Sequence, residues 1–117
     1  MKIDAATVCA ALLADSAVTG IIGTSLFSEM PPEEAAFPCL TYSESNSVAL
    51  GGDNVEVLTS IVFDMECWHK ASAWPMAIAV NNVMAGLGYV RNSAQDAGRD
   101  INGIHQVSLK FTNIKEG

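Results

Sequence analysis

Five side chains in the sequence carry a thiol or imidazole that could ligate a metal: Cys9, Cys39, Cys67, His69 and His105. Cys67 and His69 stand two apart, the spacing that sets two side chains on one face of a strand. With His105 opening a later strand and Cys39 on an earlier one, they would offer thiolate and imidazole to zinc. Structural zinc sites, however, draw paired ligands from tight turns, and the chain has no CxxC motif. The expected reading is two strand-end histidines and three reduced, buried thiols, with no metal bound. Three widely spaced cysteines also argue against a disulfide framework.

A second candidate is Asp64 and Glu66 on the polar face of a strand with Lys110 opposite, similar to the carboxylate and lysine sets of metal-dependent nucleases. Alternating carboxylates are equally what a wet strand face carries. No Glu-x-Lys follows at the expected place, and the six basic residues are scattered singly, whereas holding a nucleic-acid backbone takes several on one face. There is no GxSxG elbow around a serine nucleophile. Gly51-Gly52 lacks the lysine and following helix of a phosphate loop. Neither a catalytic residue nor a cofactor is expected, and the function is expected to lie in binding other proteins.

Composition points the same way. The hydrophobic fraction is 50% and the charged fraction 16%, too apolar for a disordered chain and sparing in the charge that covers a small domain. Some neutral surface is therefore expected to meet partners. A net charge of −7 suits a wall past which DNA slides without adhering. No apolar run approaches the ~20 residues of a membrane span, and no signal peptide is recognisable, so neither a membrane partner nor export is expected.

The elements that position these residues follow from periodicity. Asp4 is placed to cap a helix to about Ala14, with Ile3 and Val8 as a hydrophobic staple and Val8, Cys9, Leu12 and Leu13 as its apolar stripe. Asp15 or Ser16 caps a short second helical turn ending near Ile22 and Gly23. A strand from Leu26 to Met30 stops at Pro31-Pro32, and Glu33 to Ala36 suits a helical turn. Phe37 to Leu50 reads as extended, although apolar alternation is lost after Ser43, so its far half would project beyond the core. Val55 to Trp68 carries the strongest alternation in the chain. Ser72 and Pro75 open a third helix with Met76, Val80, Val83 and Leu87 inward. Strands from Tyr89 and from Ile104 to Ile114 finish the pattern, joined by a turn containing Asn102-Gly103. Trp74 is expected in the core.

One domain over residues 1–117 is expected, of α+β class: an antiparallel sheet, helices packed on one face, and a long protruding β-hairpin. Its tip, Val48, Ala49, Leu50, Gly51, Gly52, Asp53, Asn54 and Val55, combines a flexible turn with apolar side chains that a lone subunit would leave in water, and is the expected interface.

Several segments carry a family likeness through their order and spacing: Val8 to Thr19 with Ile21-Ile22-Gly23, Leu26-Phe27, Ala36 to Tyr42, Asp64 to Trp68, and Gln106 to Phe111. In these the chain resembles the tail completion family of long-tailed phages over nearly its whole length. Glu33 and Glu34 stand where many relatives carry an arginine-rich tract. The resemblance implies a structural, non-enzymatic virion protein at the tail–head junction, assembled in the host cytoplasm. It also implies a homo-oligomeric, hexameric ring whose partners are the tail tube protein and the head connector, with DNA passing through without specific binding. A head-side connector of the same virion is the nearest alternative. A small enzyme or ligand-binding α+β domain is the alternative from another class, and would not cap isolated tail tubes.

Overall fold

Residues 1–53, 55–100 and 102–116 are described by a computed structural model. The order is α1 (Ala5–Ala14), α2 (Ser16–Ile22), β1 (Leu26–Ser28), β2 (Cys39–Gly52), β3 (Val55–His69), α3 (Trp74–Gly86), β4 (Val90–Arg99) and β5 (His105–Glu116). The strands form one five-stranded sheet in the order β1-β2-β3-β5-β4. All pairings are antiparallel except β1 with β2, which is parallel. The α+β class, the helix-covered face and the long hairpin are as expected, while the sheet is mixed because β1 returns through the proline loop instead of a tight turn.

Cross-strand rows explain the core. On the covered face Tyr42 pairs with Met65 and Met65 with Leu109; Phe63 pairs with Phe111 in the next row. Val80 and Met84 of α3 and Val8 and Leu12 of α1 pack onto these rows. Ile61, Phe63, Val80, Leu109 and Phe111 are fully or nearly fully buried, with half-buried Val83 against them. Phe63 meets the Tyr89 ring edge-on at 5.5 Å, the geometry in which aromatic quadrupoles attract.

Three local expectations fail for identifiable reasons. Asp4 accepts no backbone N–H of α1, because its carboxylate is drawn across the sheet: Tyr89 Oη donates to it at 2.6 Å and Lys115 Nζ at 2.9 Å. Its own N–H donates to Glu44 at 2.7 Å. Ile3 is exposed, so the staple is not made. Glu33 and Glu34 lie in a turn, not a helix. Asp15, in contrast, does cap α2, accepting from Val18 N at 3.0 Å, and Ala73 takes the cap position of α3.

Gly88 ends the α3 segment with φ 91°, a conformation open to glycine at no steric cost. It lets Tyr89 N donate to Met84 O and so turns the Tyr89 ring into the core, onto Asp4.

Truncating Phe63 to alanine should cost about 3–5 kcal/mol, as large aromatic truncations in cores do; chemical denaturation measures it. Asp4→Ala should cost a similar ~3–5 kcal/mol, since it leaves a partly buried lysine without its partner, whereas the conservative Asp4→Asn should recover part of that loss in the same assay.

Candidate assembly interface

The hairpin projects because the sheet is longer than its helical cover. Fifteen residues of β3 rise about 3.3 Å each, which matches the 52 Å long axis of a molecule only 28 × 24 Å across. Alternation persists along all of β3, but every second residue is buried only from Thr59 onward. Val55 and Val57 lie on the same face as Phe63 and are exposed. On the other side, the described part of β5 pairs with β3 up to Leu58, opposite Glu116.

Within the tip, a β-bulge at Ala49 redistributes the side chains. Val48 pairs with Thr59 on the helix side, whereas Leu50 pairs with Leu58 on the open side. Both flat faces of the tip are therefore apolar, with Val48, Leu50 and Val55 exposed by 61%, 52% and 62%. A strand pair apolar on both faces is the pattern of a strand covered on both faces. The strands run to Gly52 and resume at Val55, and Asp53 takes a left-handed φ of 48°. Asn54 lies outside the described residues. The Met1 amino group sits on the Glu56 carboxylate and holds that carboxyl below its usual range.

The open face changes character along its length. Toward the His69 end it is polar: Glu66 accepts from Gln106 Nε2 at 2.7 Å and from Ser108, and Lys110 lies 3.8 Å from Asp64. Asp64, Glu66 and Lys110 are thus brought together, as a hydrogen-bonded wet surface. Toward the tip it becomes apolar through Leu50, Leu58, Val62, Ile114 and Val90. Ile114 and Val90 were not singled out from the sequence, although each lies on the outward register of its strand.

The other ligand set is dispersed. His69 and His105 are register partners, but Cys39 pairs with Trp68 on the open face while Cys67 points to the core. Among the described residues no cluster of three or more potential ligands occurs. Burial pushes the Cys39 thiol up to about 11 and that of Cys67 up to about 12, which favours the neutral thiol over a thiolate ligand. Trp68 is half-buried and donates to Thr41 Oγ1 at 3.0 Å. Trp74, expected in the core, is instead 40% exposed, because the first turn of α3 overhangs the sheet beside β4.

The profile of the tail completion protein gp17 family matches residues 6–114. The chain belongs to this family. It is thereby a structural protein of a phage-type tail, acting in virion assembly. No curated protein matches the chain in sequence. Among solved structures it is similar to a chain in the virion of a native gene transfer agent particle, with 20% identity and a TM-score of 0.77. That match covers 94% of this chain and 92% of the other, and it shows a shared fold.

For a member of the tail completion family whose thiols are held neutral by packing, a thiol reagent at pH 8 should label half-buried Cys9 but spare Cys39 and Cys67 until denaturant is added. The raised values also set a pH dependence. The folded chain keeps both thiols protonated while the unfolded chain releases protons from about the reference value of 9.0. Stability is therefore full below about pH 9 and falls as pH rises toward 11–12. Urea midpoints at pH 8 and pH 10.5 measure the decline, and Cys67→Ala should make it shallower.

Proposed function

We propose that this tail completion protein closes into a ring, caps the last layer of the tail tube and presents a surface to the head connector, with residues 48–55 as the assembly element. The observation that supports this reading is the hairpin tip, apolar on both faces and lying outside the subunit's own core. Such a tip has no stabilising role in a solitary subunit, since its side chains remain in water there, whereas seating it in a neighbour removes them from water at roughly 25 cal/mol per Å². A heterologous contact that closes after a fixed number of subunits makes a ring, and a ring face matched to the tube ends polymerisation by geometry alone. The formal charge of −7 suits a lumen through which DNA moves without sticking. No catalytic step enters this mechanism.

Replacing Val48-Ala49-Leu50 by serines should leave fold stability within about 0.5 kcal/mol, the usual range for surface positions, while abolishing ring formation or tube capping. Electron microscopy of tubes assembled with each protein reads the result. Capping at normal tube length by the serine variant would show that the hairpin is not the assembly element.

A further inference from the structure

The sequence divides in charge where the sheet divides in space. Residues 1–69 hold ten acidic residues and one lysine, a formal −9; residues 70–117 hold five basic and three acidic residues, a formal +2. No lysine or arginine occurs between Lys2 and Lys70. The first part builds α1, α2 and β1 to β3, and the second builds α3, β4 and β5. In the order β1-β2-β3-β5-β4, one half of the sheet is therefore strongly acidic and the other mildly basic.

Each half also carries an apolar feature of opposite shape. The acidic half has the projecting tip, with Val48 and Val55 beside exposed Asp53. The basic half has a groove between α3 and β4, floored by Ala77, Ala94 and Leu109 and walled by exposed Trp74 and Ile78. Arg91 stands at its rim, anchored by one N–H to Asn81 Oδ1 at 3.3 Å. A guanidinium carries five donors, so this anchor leaves it able to meet a carboxylate. Exposed tryptophan and arginine around a groove are the residues that dominate binding energy when covered.

Resting on the reading above, we propose that the groove is the seat for the hairpin tip of a second copy of this chain, with Asp53 of the incoming tip set against Arg91. Two acidic halves repel, so tip-to-tip pairing is disfavoured; an acidic tip against a groove whose one charged lining residue is Arg91 is favoured and suppresses wrong partners. The contact joins different surfaces of the two copies, the head-to-tail relation that a closed ring requires. Seating also covers Trp74 and Ile78, which a single subunit leaves exposed.

The test is a charge swap read by sedimentation at 50 mM salt, with thermal melting as the control for folding. Asp53→Lys and Arg91→Glu are each expected to weaken self-association at least about tenfold, as mismatched interface charges do. The double variant in one chain, and an equal mixture of the two single variants, should both recover wild-type association. Val55→Cys with Ile78→Cys in the same chain should yield oxidised ladders joined through unlike positions. Single variants that associate as wild type overturn the proposal. Single variants that form rings but fail to cap tubes place the tip on the tube protein, overturning this contact while keeping the ring. Joining through Val55→Cys positions alone would mean tip-to-tip pairing, against the proposal. A wild-type chain that stays monomeric even on tube ends removes the ring reading and this contact together.

Discussion

A single buried carboxylate defines where this molecule stops being a core and becomes a projection. Asp4 is 4% exposed, and a charge so placed is tolerated only when paired and hydrogen-bonded. Its partners come from three parts of the chain: Tyr89 after α3, Lys115 near the end of β5, and Glu44 of β2 through the backbone. The lysine also approaches the Tyr89 ring, 5.8 Å from its centroid. The start of α1, the exit of α3 and the last covered row of the sheet are therefore tied at one point, beside Thr59. Beyond that row no helix covers the strands.

Everything distinctive about the surface follows from that boundary. The same alternation that fills the core with Ile61, Phe63 and Met65 continues into Val57 and Val55, where nothing covers it. Extending a sheet past its cover leaves backbone pairing intact while exposing apolar side chains, which is costly for a soluble subunit and useful for one that assembles. The bulge at Ala49 extends this to both faces of the hairpin, since shifting the register by one residue exchanges inward and outward side chains.

Membership of the tail completion family and the proposed ring fit a protein whose specificity lies in shape and charge. In the proposed contact, unlike halves attract and like halves repel, which would give association a preferred direction. Assembly controlled by such a contact is sensitive to ionic strength, with a screening length of about 8 Å at physiological salt. No reacting group is needed for such a device, which is in keeping with Asp64 and Glu66 being engaged by their own strand neighbours.

The sequence by itself determined most of the secondary elements and their inward faces. Period-two alternation in β3 and β5 and the Met76, Val80 and Val83 spacing in α3 are local patterns, and burial rewards them wherever the elements meet. It also marked the hairpin tip, since lost alternation after Ser43 and the Gly51-Gly52 turn are visible without a fold. Only the tertiary structure decided which partners long-range contacts would choose. Asp4 reads as a helix cap because local rules count only nearby N–H groups, yet Tyr89 and Lys115, over eighty residues away, offer stronger charge-assisted bonds. Trp74 reads as core because it is large and apolar, yet its position on α3 depends on where that helix crosses the sheet edge. The parallel pairing of β1, the dispersal of Cys39 and Cys67 to opposite faces, and the separation of charge into two halves of the sheet all depend on strand order. Strand order is set by which distant surfaces bury each other best, a sum over the whole chain that no local window contains.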